Sequence, residues 1–402
     1  MPSNPERFPS EVPGVKLDDK ALRLPAPLYK PIQLTFPYRY NAFSQAIQEI
    51  IQQHPNHGPL IIFPPSLDWH SQLFQRPQQL ALAMARQGAL IFYVQPVRSY
   101  RQPGIEKIQE RLYLCKIPVG SFWFLKNPII YLLTWNAKYS AAFDHPQVIY
   151  DFVDELGAFE GKQTQILRQH DRLLRNADWV VATAMRLYQQ VLPIRPDVLL
   201  CPNGVDYDFI VQAKQPQPVP ADLAAILGQG KPIIGYYGAL AHWFDFNLLT
   251  QVAKIRRDLS FVLIGPDTDK SLRKSRASDL PNIFWLGVKA YDKIPQYLHY
   301  FDAAIIPFCL NEVSHATSPI KLFEYMAGGK PAVITAMEES KRYPGVLVAI
   351  DAPDFSNKLT VALQLKSDPQ YLQVIDQVAR EYTWDKHAQQ ILQALAEKTR
   401  PD

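Results

Sequence analysis

Residues 317–333 read Thr-Ser-Pro-Ile-Lys-Leu-Phe-Glu-Tyr-Met-Ala-Gly-Gly-Lys-Pro-Ala-Val. Thr317 and Ser318 are residue types that cap a helix, Pro319 suits its first turn, and Gly328-Gly329 ends it. Between these signals Leu322, Tyr325 and Met326 have the i, i+3, i+4 spacing of a buried face. Lys321 and Glu324, three apart, then project from a second face. A helix N-terminus offers free backbone N–H groups and a positive dipole end, which suits a phosphate. One turn further in, a carboxylate can accept hydrogen bonds from two neighbouring hydroxyls such as those of a ribose. A surface helix with a Lys–Glu pair has the same local pattern, so the surrounding chain has to decide between them.

Working outward, apolar runs of four to six residues recur on both sides of this helix. In the second half, strands are expected at 233–237, 261–264, 283–286, 303–307, 331–335 and 346–350, with helices at 246–258 and 294–299. The first half shows the same habit, with strands at 59–63, 89–94, 112–117, 147–152, 179–182 and 198–201. Its helices are expected at 41–53, 76–87, 127–139, 162–176 and 185–191. Continuous apolar runs mark strands buried on both faces, and strand–helix–strand order gives parallel crossovers. The fold class is therefore α/β, with two doubly wound domains whose strands' carboxyl ends border a cleft, the usual place for a ligand. Gln215-Pro-Gln-Pro-Val-Pro220 reads as a linker. The expected divisions are a Pro-rich arm and helix (1–57), a first domain (58–214), the linker (215–230), a second domain (231–375) and a C-terminal helix (376–402). That last helix carries Trp384, His387, Ile391 and Leu395 on one face and is expected to pack back on the first domain.

Composition narrows the class. At 402 residues the chain exceeds one ordinary core, and 47% apolar with 20% charged residues describes a globular protein. A net charge of +4 without a run of five Lys/Arg leaves no footprint for nucleic acid. Cys115, Cys201 and Cys309 are far apart, odd in number and set in apolar contexts, so buried free thiols in a reducing compartment are expected. Residues 1–10 lack the apolar core of a signal peptide, and no run reaches the roughly 18 apolar residues of a membrane span. A cytoplasmic protein is expected. Many of the 35 prolines fall in the first 40 residues, an extended arm whose aromatic end (Tyr29, Phe36, Tyr38, Tyr40) is expected to pack on the body.

Gly235-Tyr-Tyr-Gly238-Ala239-Leu240 follows the first strand of the second half, where small residues let a phosphate or sugar approach the backbone. It lacks the third glycine and the downstream acid of a dinucleotide fingerprint, which argues against NAD. With Trp243 and Asp245 beyond it, Phe261-Val-Leu-Ile-Gly265-Pro266, Asn282-Ile-Phe-Trp-Leu-Gly287 and the stretch 318–331, this half resembles the retaining family 4 glycosyltransferases of the GT-B fold, also termed glycosyl transferases group 1. Gln75-Arg-Pro-Gln-Gln-Leu-Ala81, Tyr150-Asp-Phe-Val-Asp154 and Pro202-Asn-Gly-Val-Asp206 extend the resemblance to residues 58–395. They place it in the subset with a Trp…Gln-Arg-Pro signature, here Trp69 and Gln75-Arg76-Pro77.

The resemblance implies two Rossmann-like domains, the second holding a nucleotide diphosphate sugar and the first an acceptor. By analogy Glu324 grips the ribose, and Lys321 with the N–H groups around Thr317, Ser318, Pro319 and Ile320 faces the diphosphate. Gly287 to Ala290 would line the base, Gly265 the pocket floor, and Gly238 with Ala239 the diphosphate. It implies a hexosyl-type transferase, retaining and metal-independent, with a UDP-sugar first and GDP- or dTDP-sugars as alternatives. The acceptor would be a glycan or a lipid-linked glycan of the cell envelope, so that peripheral contact with the inner face of the membrane is an option. A catalytically silent nucleotide-sugar-binding scaffold is the alternative.

Two departures bear on that alternative. Family members often carry a Glu eight residues before the ribose Glu, where this chain has Ala316; Glu312 is the substitute at hand, or a solvated loop acid. Many also carry an Arg and a Lys after the glycine loop, whereas residues 241–247 hold neither, leaving Lys321, His242 and Arg76 as cations. Arg76 is a diphosphate ligand on one reading and a salt bridge on the other. Asp154, past the strand 147–152, can orient an acceptor hydroxyl or act as a base, unless it belongs to a plain acidic loop. Trp69 can stack on a sugar and His70 can carry a proton, or both can belong to a packed loop. Asp267-Thr-Asp269 reads as a solvated loop, no metal ligands are expected, and Asn203-Gly204 reads as a hinge-side turn. The aromatic stretch 122–135 reads as core, or as a membrane-docking patch if exposed.

Overall fold

Two parallel sheets dominate a computed structural model of the protein, which describes residues 37–96, 103–158 and 163–399. The first sheet contains β1 (Leu60–Phe63), β2 (Leu90–Val94), β3 (Gly104–Gln109), β4 (Leu112–Lys116), β5 (Ile129–Leu133), β6 (Gln147–Phe152), β7 (Trp179–Ala182) and β8 (Leu199–Leu200). Its order is β3-β4-β2-β1-β5-β6-β7-β8, with β3 antiparallel at one edge. The second contains β9 (Ile233–Tyr237), β10 (Ser260–Ile264), β11 (Ile283–Trp285), β12 (Ala303–Ile306), β13 (Ala332–Thr335) and β14 (Leu347–Ala349). All its pairs are parallel, in the order β11-β10-β9-β12-β13-β14. That order reverses between β9 and β12, which opens a crevice at their carboxyl ends.

Period two explains the layers. In β2, Leu90, Phe92 and Val94 join one apolar cluster and Ile91 and Tyr93 the other, because successive side chains leave opposite faces. Ile47 from helix Pro37–Gln53 and Leu173 from helix Gln163–Asn176 cover the first face. Leu80 and Met84 from helix Arg76–Arg86 cover the second, together with Trp384, Ile391 and Leu395 from helix Trp384–Thr399. The C-terminal helix thus packs on the first sheet. Where one C-terminal helix (376–402) is expected, the described residues form two, Pro369–Glu381 and Trp384–Thr399, because Thr383 leaves the helix to pair with Val205.

Residues 127–139, expected to be helical, form β5 and then a 3-10 helix, Thr134–Ala142. The run Ile-Ile-Tyr-Leu-Leu is uniformly apolar, and such a run carries no period that separates a buried strand from a buried helix. β3 escaped the sequence reading because it is a charged edge strand, its Glu106 paired with Lys116 and its Lys107 with Glu110. The apolar part of the aromatic stretch is mostly core: Phe122, Tyr131 and Leu133 are buried, and among its apolar side chains only Trp123 is exposed, at 62%. Cys115 and Cys201 are buried, but Cys309 is partly exposed. Most of the expected arm, with Tyr29 and Phe36, lies outside the described residues, and residues 37–40 begin the first helix instead. Among the described residues no helix is long and apolar enough to cross a membrane.

Candidate active site

The crevice between β9 and β12 is lined by turns that need glycine. Gly238, just past β9, has φ +141, and Gly265, just past β10, has φ +138. A Cβ on Gly265 would lie 1.9 Å from the Gly238 carbonyl oxygen, so these two turns touch backbone to backbone. Gly287, past β11, is also left-handed with φ +70, and Ala239 is buried. Facing these turns is helix Ile320–Ala327.

That helix starts differently from its sequence signals. Pro319 is its N-cap and no side chain caps the first turn. Thr317 instead donates its hydroxyl to the Val313 carbonyl at 2.7 Å. Ser318 meets the first half: the Asn203 N–H donates to its hydroxyl (3.2 Å) and the Asn203 side-chain amide to its carbonyl (2.6 Å). The capping expectation for Thr317 and Ser318 is therefore corrected, because each hydroxyl has a better partner elsewhere. The uncapped first turn keeps its partial positive charge for a ligand.

Lys321 and Glu324 follow on the same helix. A Cβ on Gly238 would lie 2.8 Å from Lys321 Cε, so this lysine lies over the glycine turn. Its ammonium sits 5.1 Å from the Phe308 ring centre and 5.5 Å from that of Tyr236. Burial lowers its pKa to about 8, against a favourable pull from Glu324. Glu324 is 3% exposed, and burial raises its carboxyl above the ordinary range while Tyr291, Tyr237 and Lys321 oppose that rise. The Tyr291 hydroxyl donates to Glu324 Oε1 at 2.8 Å. The Tyr237 hydroxyl is buried beside the same carboxylate but makes no hydrogen bond of ordinary geometry.

From the first half, the Gln79 amide donates to the Tyr291 oxygen at 3.0 Å, and Phe74 stacks on its ring at 5.5 Å. Tyr291, Tyr237 and Gln79 had no role in the sequence reading. Signals existed: Tyr291 directly follows the turn 287–290, and Gln79 lies three residues after Arg76 on one helix face.

The remaining candidates divide sharply. Arg76 is buried: its Nε and Nη2 bind Asp151 at 2.6 and 3.0 Å, and Nη1 binds the Pro202 carbonyl at 3.0 Å. Asp151 also accepts from Tyr131, so the diphosphate reading of Arg76 gives way to a structural ion pair. Trp69 is 8% exposed, its ring edge-on to Tyr93 and Phe74 at 5.0 and 5.5 Å, which leaves no face for a sugar. His70 is exposed, and its backbone N–H donates to Asp68 Oδ1 at 2.9 Å. Asp154 stands at the carboxyl end of β6, where burial and then Asp151 raise its pKa to about 6.

Glu312 pairs with Arg186 of the first half and is 71% exposed. Ala316 is 1% exposed and packs in an apolar cluster of the first sheet, where a carboxylate would be desolvated. Its methyl group fits the site that this chain presents. Asp267 and Asp269 brace their loop, accepting from the N–H groups of Leu272 and Ser271, and Asp269 also from His242, while Thr268 and Lys270 beside them are exposed. Among the described residues no His/Cys/Asp/Glu group could hold a metal.

Comparison with known proteins bears on the fold and on the class of the second half. Residues 231–364 match the family model for Glycosyl transferases group 1. A Bacillus subtilis (strain 168) protein named as the teichuronic acid biosynthesis glycosyltransferase TuaH is 26% identical over 272 residues, 63% of this chain and 68% of its own length. A sucrose-phosphate synthase from Thermosynechococcus elongatus superposes with a TM-score of 0.59 at 16% identity, covering 84% of this chain and 99% of that one. Anabaena Alr3699/HepE in complex with UDP and glucose gives a TM-score of 0.59 at 16% identity, covering 85% and 100%. The fold is GT-B: two parallel-sheet α/β domains in the arrangement of those glycosyltransferases.

Proposed function

We propose that this protein transfers a sugar from a nucleotide diphosphate sugar to a hydroxyl acceptor, with retention and without a metal. The observation that carries the reading is a buried carboxylate and a half-buried ammonium, Glu324 and Lys321, on one helix with an uncapped N-terminus over the Gly238 turn. Glu324 would accept both ribose hydroxyls. Lys321 and the first-turn N–H groups would carry the diphosphate, and the negative charge arriving there would favour the ammonium form. As the sugar leaves, charge builds on that diphosphate, and fixed donors stabilise it most at that point. Asp154, just past the carboxyl end of β6 in the first half, would orient or deprotonate the acceptor hydroxyl.

A UDP-sugar is the donor we favour. The relative named in complex with UDP and glucose supports it, and a carboxylate that grips a diol favours UDP or GDP over dTDP, whose sugar lacks the 2′-hydroxyl. The teichuronic acid relative supports a cell-envelope glycan, free or lipid-linked, as acceptor. In that setting Trp123, exposed beside Lys126, suits contact with the inner face of the membrane. Calorimetric titration tests the donor site. UDP should bind more tightly than dTDP, and Glu324→Ala should weaken UDP by about 1–3 kcal/mol. Equal affinity in wild type and variant, both folded by circular dichroism, would refute the ribose assignment.

A further inference from the structure

Tyr291 belongs to the second half yet is bonded to both halves at once. Its oxygen accepts from the Gln79 side-chain amide at 3.0 Å, and its hydroxyl donates to Glu324 Oε1 at 2.8 Å. The direction of these bonds follows from chemistry, because an amide NH2 can only donate and the phenol has one proton left to give. The ring is fixed by Phe74 of the first half at 5.5 Å and by Phe209 at 5.1 Å.

We propose that Tyr291, held by Gln79, is a positioning residue that fixes the Glu324 carboxylate as acceptor of the ribose diol, so that nucleotide affinity in the second half depends on its contact with the first. The proposal rests on the donor-site reading above. A carboxylate has about four lone-pair sites, so Oε1 can keep Tyr291 and still take a ribose hydroxyl, leaving Oε2 for the other.

The groups facing Glu324 come from four places: Tyr291 past β11, Tyr237 on β9, Lys321 on its own helix, and Asp206 ahead of helix Tyr207–Ile210. Burial and Asp206 favour the protonated carboxyl, whereas Tyr291, Tyr237 and Lys321 favour the ionised one. Removing the Tyr291 hydroxyl leaves burial less opposed. The carboxyl then protonates at higher pH, and nucleotide binding, which needs the ionised form, is lost earlier as pH falls. Gln79→Leu should do the same more weakly, since it frees the phenol to rotate without removing it.

The test is calorimetric titration with UDP-glucose from pH 5 to 8, or with GDP-glucose if that binds more tightly. The diphosphate of either is esterified at both ends and does not titrate in this range. Tyr291→Phe should weaken binding about tenfold at pH 7 and move the acid limb upward by about half a unit or more. Glu324→Gln should remove the limb. If Glu324→Gln removes it and Tyr291→Phe leaves it in place, the positioning role is overturned while the ribose assignment stands. If the limb persists in Glu324→Gln, or neither nucleotide sugar binds, the donor-site reading fails and this inference with it.

Discussion

Two cations show how differently the same charge can be used. Arg76 meets Asp151 through two bonds and a backbone carbonyl through a third, so removing it would strand a buried carboxylate. Lys321 has no hydrogen-bond partner among the described residues, only aromatic faces and the nearby charge of Glu324. A cation so placed is available to an anionic ligand. Lys321 and Glu324 were legible in the sequence because their spacing is a property of one helix turn. The fate of Arg76 was not, since its partner lies 75 residues away. Asp154 gives a pH prediction at this scale. Its folded pKa, about 6, lies above the ordinary 3.8, so its stabilising contribution is complete below about pH 4 and lost as pH rises through about 6. Asp154→Asn removes that loss. Chemical denaturation should therefore show the variant gaining on wild type between pH 4 and pH 7.5, by on the order of 1 kcal/mol once solvent screening of this partly exposed group is allowed for. A difference that does not change with pH would contradict it.

Secondary-structure elements were read well where a local pattern is periodic or a turn needs glycine. β9, helix Met185–Val191 and helix Ile294–His299 fall where their sequence patterns put them. β5 did not, because its apolar run is compatible with either element until a neighbouring sheet supplies its hydrogen bonds to β1 and β6. The cap of helix Ile320–Ala327 failed for a related reason: Ser318 is bound by Asn203, which no local rule could foresee. The glycine turns are the firmest elements of the site. Gly265→Ala would put a methyl group 1.9 Å from the Gly238 carbonyl at φ +138, so both sterics and backbone strain oppose it. Urea unfolding should show a loss of about 3 kcal/mol, with weaker nucleotide binding as the Gly238 turn is displaced. A variant of unchanged stability would mean that the two turns do not touch.

At the scale of the molecule, the two halves meet through a few specific bonds. Beyond Gln79–Tyr291 and Asn203–Ser318, Glu339 accepts from the N–H of Met185 at 2.7 Å, and Arg186 reaches Glu312. The C-terminal helix also returns to the first sheet, where Trp384, fully buried, packs with Ile61, Leu80 and Ile391. Trp384→Ala should cost about 3–5 kcal/mol and act on the first half. Hydrogen exchange should show β1 and β2 losing protection while β9 and β10 keep theirs; equal loss in both sheets would mean that the tail supports the whole molecule evenly. The sequence by itself determined what is encoded within a turn or a strand: the α/β class, the glycine turns, and the Lys321–Glu324 face of one helix. Tertiary structure alone decided what joins distant segments. Arg76 was committed to Asp151, Ala316 to the first sheet, and Tyr291 to Gln79 across 212 residues. The reason is physical: spacing along a helix or strand is fixed by backbone geometry, whereas contacts between segments depend on how two sheets and their helices pack.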